Sequence, residues 1–287
     1  MIVSYNHQIF SFMQYRILHS FLIILGFALS GCYQDVTEVN DENGDSNGNG
    51  NGATPPAEFS HTDEPGDSNE AFVTGSEFDE LIVEIQFMEG MEPAPETLDY
   101  LVEFLEEHLE KSEITILDPE QISSSNQTSY SREDLREIEE EYRTEYSVET
   151  SLVAYLLFVD GDFLDDDGFR NITTLGTSLY NTSAAFFGGT IEQISGPNTF
   201  EPDQWFVESL TISHQFGHLM GLVNNQTEMV DDHHDGQNEF HCANELCLMH
   251  FSTNSSQIFD RQPPQELPEF DEFCLNDLDA LRESVEQ

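Results

Sequence analysis

Lysine is almost missing from this chain. Lys111 is the only one, and all basic residues number 8 against 57 acidic ones, a net charge of −49 over 287 residues. So few cations cannot neutralise phosphates, which excludes nucleic acid as a partner. The acidic excess keeps the surface hydrated and suits a salty medium, where screening weakens self-repulsion. Long apolar runs are missing too: the N-terminal stretch Phe21–Ala28 is too short to cross a bilayer as a helix. Cysteine is scarce, at four residues. If Cys32 is spent elsewhere, Cys242, Cys247 and Cys274 remain, an odd number that cannot all pair within the chain. One disulfide plus a free thiol is the simplest outcome. A structural metal site using all three, with His250 or Asp277 as a fourth ligand, is the alternative.

What the N-terminus holds is a targeting pattern. Arg16 precedes the apolar run, and Leu29-Ser30-Gly31-Cys32 follows it, small residues before a cysteine that resemble a bacterial lipobox. Met13 would serve as a start giving a compact signal. Residues 1–31 are therefore expected to be a lipoprotein signal peptide, with Cys32 lipidated and the protein anchored in a bacterial cell envelope. Tyr33 is not the aspartate that retains lipoproteins at the inner membrane, which favours the outer membrane or cell surface. Residues 32–70 are rich in Asn, Gly, Asp, Ser, Pro and Glu and bury too little apolar surface to offset the entropy of ordering, so a flexible acidic tether is expected there.

Residues 71–287 carry the folded domain. Strand and helix patterns alternate: a strand at 81–87, a helix from Pro95 to about Lys111, a strand at 114–117, and a charged helix from Ser131 to Tyr146. Ser131 and Asp134 have capping-box spacing. The apolar run 153–159 reads as a central buried strand. Strands near 175–180 and 184–187, a helix over 203–222 and a closing helix over 275–285 complete the order. The class is α/β (α+β), with a mixed twisted sheet backing one helix and a small irregular C-terminal part. The aspartates of 160–168 do not fit the EF-hand spacing and read as a solvated turn.

The chemistry concentrates in Ser213-His214-Gln215-Phe216-Gly217-His218-Leu219-Met220-Gly221. His214 and His218 stand at i and i+4 on one helical face, the spacing that grips one metal ion. Gly221 lets the chain leave the helix and return with a third ligand. The position after the first histidine is where a zinc-protease helix carries its general base, and here it is Gln215, an amide that takes no proton near neutral pH.

Together with His241-Cys242-Ala243-Asn244-Glu245-Leu246-Cys247-Leu248-Met249, this segment resembles metzincin zinc peptidases, in particular archaemetzincins and lipoprotein metalloproteases of Bacteroidetes-type bacteria. The Cys-x4-Cys-x-Met spacing is kept. The resemblance implies zinc as cofactor, a peptide or protein ligand, His214, His218 and His241 as ligands, and Met249 as an apolar floor beneath the metal. It also implies that Cys242, Cys247 and Cys274 tie down the lower part. Three departures stand out. Gln215 replaces the base; Asn224 occupies a usual third-ligand position; and eighteen residues, Val223 to Phe240, precede His241. That loop makes His233, and beside it His234, alternatives for the third ligand. Asn224, a poor zinc ligand, is assigned to the turn.

A glutamine at the base position need not weaken zinc binding, but it removes proton transfer worth roughly 10²–10⁴-fold in rate. Glu208 and Asp235 are the carboxylates that could substitute. The expected function is thus that of a zinc metallopeptidase-like lipoprotein of impaired hydrolysis. The alternative is an inactive zinc-binding pseudo-peptidase that binds peptides or envelope proteins.

Overall fold

The computed structural model describes residues 59–125, 127–165, 167–196, 201–261 and 266–285. Cys32 and the expected signal peptide lie outside the described residues. The order begins with α1 (Asn69–Val73), β1 (Glu80–Phe87), α2 (Pro95–His108), β2 (Glu113–Ile116), β3 (Glu120–Gln121), β4 (Ser129–Tyr130) and α3 (Arg132–Tyr142). It continues with β5 (Ser151–Val159), β6 (Asp162–Leu164), β7 (Arg170–Asn171), β8 (Gly176–Tyr180), β9 (Ser183–Phe187), α4 (Gly188–Ile194), α5 (Gln204–Leu219), α6 (Ile258–Arg261) and α7 (Glu272–Val285).

The main sheet runs β2-β1-β5-β9-β8, with β3 also on β1. All pairings are parallel except β8 against β9. Alternate residues of β5 divide between two cores, as a period of two requires. Leu152, Ala154, Leu156 and Phe158 face a core shared with α2 and α5, where Leu101, Leu105, Val207 and Phe216 are buried. Tyr155, Leu157 and Val159 face the other side, against Leu135 of α3 and Leu179. A strand buried on both faces needs the uninterrupted apolar run that the sequence has there. Each such side chain contributes roughly 1.5–3 kcal/mol by leaving water, so the sheet is a rigid platform for α5.

The capping box forms at α3: Ser131 Oγ accepts from the Asp134 amide, and the Asp134 carboxylate accepts from the Ser131 amide. The charged helix ends at Tyr142, short of the expected Tyr146, and two further features differ from expectation. Packing starts ahead of residue 70, because Phe59 meets Phe78 edge-on at 5.1 Å and Asn181 Nδ2 donates to Ser60 O and Ser68 Oγ. The aspartates near residue 160 are not simply solvated. Asp160 accepts from Tyr130 Oη at 2.6 Å, and buried Asp162 pairs with Arg170 and accepts from Thr190 Oγ1 at 2.9 Å. A small second sheet, β4-β6-β7, forms around them. Strand β9 is buried interior sheet, and β8 is the edge.

Candidate metal centre

The C-terminal end of α5 is set by a Schellman turn. Leu222 N–H donates to Gly217 O at 3.0 Å, and Gly221 N–H donates to His218 O at 3.1 Å. Gly221 has φ +74°, and a Cβ there would stand 2.6 Å from Asn225 O, so only glycine fits. Asn224, exposed at φ +60°, shapes the next turn and joins no ligand group.

His214 and His218 project from the same face, their Nε2 atoms 3.1 Å apart. Two nitrogens on one tetrahedral zinc, each about 2.0–2.1 Å from it, would lie roughly 3.3 Å apart. His241 returns from the loop and stacks 5.2 Å from the His214 ring, 5.0 Å from that of His218. The ligating atoms of all three lie within 4.8 Å of one another.

The opposite ring nitrogens are anchored. His214 Nδ1 is 2.8 Å from Leu248 O and 2.7 Å from Thr253 Oγ1; His241 Nδ1 is 2.7 Å from Glu239 O. Carbonyl acceptors fix a proton on Nδ1, which leaves the Nε2 lone pair for a metal. Burial, and then the neighbouring His241, pushes the His214 pKa down to about 3; burial likewise depresses His218 and His241. All three are therefore neutral near pH 7, the form that ligates. Met249 lies beneath, outside this group, its Sδ only 2.2 Å from where a Gly217 Cβ would be.

Gln215 is buried. Its Oε1 accepts from Ser178 Oγ at 2.9 Å, while Nε2 has no hydrogen-bond partner among the described residues. With His218 and His241 it lines a cleft of about 590 Å³. Arg132 and Arg136 line it too, one helical turn apart on α3, with Glu64 as a lining carboxylate. The edge of β8 beside the cleft is already paired: the Asn254 amide bonds both N and O of Gly176, and Arg132 donates to Ser178 O.

Neither carboxylate considered as a substitute base lines the cleft. Glu208 of α5 is buried against the start of α2, accepting from Ala94 N–H at 2.9 Å and Thr97 Oγ1 at 2.6 Å. Asp235 closes a turn through Gln237 N–H and Asn238 Nδ2. His233 also leaves the competition for third ligand. It joins Cys242, Asp271 and Cys274 in a second group of ligating atoms within 4.8 Å, and Cys247 Sγ is 3.6 Å from Cys274 Sγ. All three cysteines are free thiols, so the expected disulfide does not form. The nitrogen beside the sulfurs comes from His233, with Asp277 behind it. His250 instead bonds Ser252, and exposed His234 bonds Asp232. Cys242 is held strongly toward thiolate by bonds from Cys247 and then Cys274, while Cys247 is pushed up to about 12. A buried thiolate among thiols and a histidine is a donor set suited to zinc.

No family model matches the chain, and no curated protein matches its sequence. Among solved structures it is similar to archaemetzincin from Methanopyrus kandleri, at 16% identity and TM-score 0.46, covering 74% of this chain and 98% of that one. It is similar to a zinc-dependent peptidase from Methanocorpusculum labreanum, at 16% identity and TM-score 0.41, covering 69% and 99%. It is also similar to metalloproteinase-II from Bacteroides fragilis, at 14% identity and TM-score 0.34, covering 81% and 59%. These are distant likenesses of chain path.

Sequence reasoning missed Arg132, Arg136, Thr253 and Asn254 at this site. The arginines had a signal: two of the chain's few cations stand at i and i+4 on one helix.

Proposed function

We propose that this protein is a zinc metallopeptidase-like binder of peptides in which hydrolysis is impaired for want of a general base. The observation that carries this reading is the convergence of His214, His218 and His241 beside a buried Gln215 in one cleft. Zinc bound there would lower the pKa of a water ligand toward 7. Ser178 holds the Gln215 side chain by donating to its carbonyl oxygen. An N–H₂ donates and cannot take a proton, whereas a carboxylate at this position would accept one.

The pseudo-peptidase reading is favoured over slow catalysis because neither Glu208 nor Asp235, the carboxylates that could substitute for the base, lines the cleft. The cysteine–histidine group would hold a second, structural zinc. Anchoring through a lipid on Cys32 rests on the Leu-Ser-Gly-Cys pattern alone. No helix among the described residues is long and apolar enough to cross a membrane. Mass spectrometry of the mature N-terminus tests the anchor; an unmodified Cys32, or cleavage elsewhere, contradicts it.

The activity test compares the zinc-loaded protein with Gln215→Glu on a mixed peptide library, with and without chelator. Cleavage by the variant alone supports an intact cleft lacking only its base. Chelator-sensitive cleavage by the native protein at a comparable rate contradicts the proposal.

A further inference from the structure

We infer that Cys242 and Cys247 are positioning residues for the histidine centre, so that metal held in the cysteine–histidine cluster strengthens metal binding by His214, His218 and His241. This rests on the two-metal reading above and adds a coupling between the sites.

The first observation is adjacency. His241 belongs to the histidine group, and the next residue, Cys242, belongs to the cluster. Cys242 sits in an antiparallel bridge with His234, and successive side chains of such backbone point to opposite sides. One planar peptide unit thus carries a donor to each group, with little play between them. The second crossing is at Cys247, whose Sγ lies 3.6 Å from Cys274 Sγ and accepts from Met249 N–H at 3.4 Å. The carbonyl between them, Leu248 O, is the acceptor 2.8 Å from His214 Nδ1. The sulfur positions therefore set both the third histidine and the group that orients the first.

The third observation is how lightly this stretch is held otherwise. Apart from that bridge, no helix or strand runs through residues 223–249. Phe240, just before His241, has φ +60°, a conformation that a residue with a Cβ adopts only when its surroundings impose it. Cys242 N–H donates to Met249 O at 2.8 Å, closing residues 242–249 into a loop with a sulfur near each end. Ala243 N–H donates to His233 O and Asp235 N–H to His241 O, at 2.8 and 2.7 Å, so one ladder spans both groups. The fixed points lie on α7, which carries Cys274 and, behind His233, Asp277. Metal joining Cys242 to Cys274 would pin the loop to α7, and His241 with it. An empty cluster exerts no such hold.

Coupling between two sites is reciprocal and is typically about 5–150-fold in affinity. It acts here through occupancy, so a substitution that weakens the cluster but leaves it filled does not disturb the histidines.

The test is titration of the reduced full chain with cobalt(II) and zinc, where thiolate-to-cobalt charge transfer marks the cluster alone. Cys274→Ala removes a cluster donor that lies outside the loop. It is expected to lower affinity at the histidine centre by about fivefold or more. Cys274→His, which restores a donor, should recover that affinity, as a merely structural loss would not. In the reverse arm, His218→Ala should lower cluster affinity by the same factor. Circular dichroism verifies that each variant folds; should Cys274→Ala fail, His218→Ala reads the same coupling from the other side. Unchanged affinity at the remaining site in either folded variant overturns the inference. A native protein whose two sites fill independently overturns this inference alone. One whose histidines bind no metal overturns the proposed function, and this inference with it.

Discussion

His233 donates from Nε2 to Asp277 Oδ2 at 2.8 Å, which turns its Nδ1 toward Cys242 Sγ, 3.3 Å away. Both residues are buried. A carboxylate behind a histidine fixes the tautomer and orients the ring, as around metal ligands generally. Asp277→Asn should therefore lower affinity for the second zinc by about 10–100-fold and leave the three-histidine centre unchanged. Titration against a chelator, read as two separate equivalents, checks this. Equal loss from both centres would contradict the assignment.

Met249 and Gly217 make a similarly tight pair. A Cβ on Gly217 would meet Met249 Sδ at 2.2 Å and Phe270 Cε1 at 3.2 Å. Gly217→Ala should gain a little helix propensity and lose more to overpacking, about 1–3 kcal/mol net destabilising. Urea unfolding measures the change, and a stabilised variant would show that the floor beneath the histidines is loose.

His61 gives a pH prediction. Burial, and then the Arg143 charge, push its pKa down to about 4 from the ordinary 6.5, and Ser147 N–H donates to its Nε2, which only an unprotonated nitrogen accepts. The unfolded chain thus binds a proton between those values that the folded chain refuses. The His61 contribution is complete above about pH 6.5 and is lost as pH falls toward 4. The unfolding free energy of the native protein minus that of His61→Gln should shrink over this window. A constant difference would contradict the burial of a neutral ring.

Much of this molecule could be read from the sequence, for physical reasons. Strand β5 announces itself because burial on both faces forbids polar residues, and α3 because Ser131 and Asp134 can only cap one end of a helix. The histidine pair and Gly221 were legible because i, i+4 spacing and a positive φ are local properties. His233 was not placed, since the loop from Val223 to Phe240 has no periodicity and its course depends on Asp277, 44 positions away. Glu208 looked like a spare base until its partners on α2 were known. That Arg132 and Arg136 would line the same cleft as the histidines was less legible, because α3 and α5 pack against opposite faces of the sheet.

The charge of −49 sets a salt response. Self-repulsion among surface carboxylates opposes folding most at low ionic strength, where the Debye length is about 30 Å at 0.01 M. Thermal stability should rise from 0.01 M to 0.5 M sodium chloride and then level off. A melting temperature that falls over that range would contradict this.

The account depends most on the three histidines sharing one metal. Anomalous diffraction from crystals of the zinc-loaded protein, recorded on both sides of the zinc edge, tests that directly. The predicted map has one peak within about 2.0–2.1 Å of Nε2 of His214, His218 and His241, and another among His233 and the cysteine sulfurs. A map with no peak at the histidines, whatever it shows at the sulfurs, would contradict the central claim.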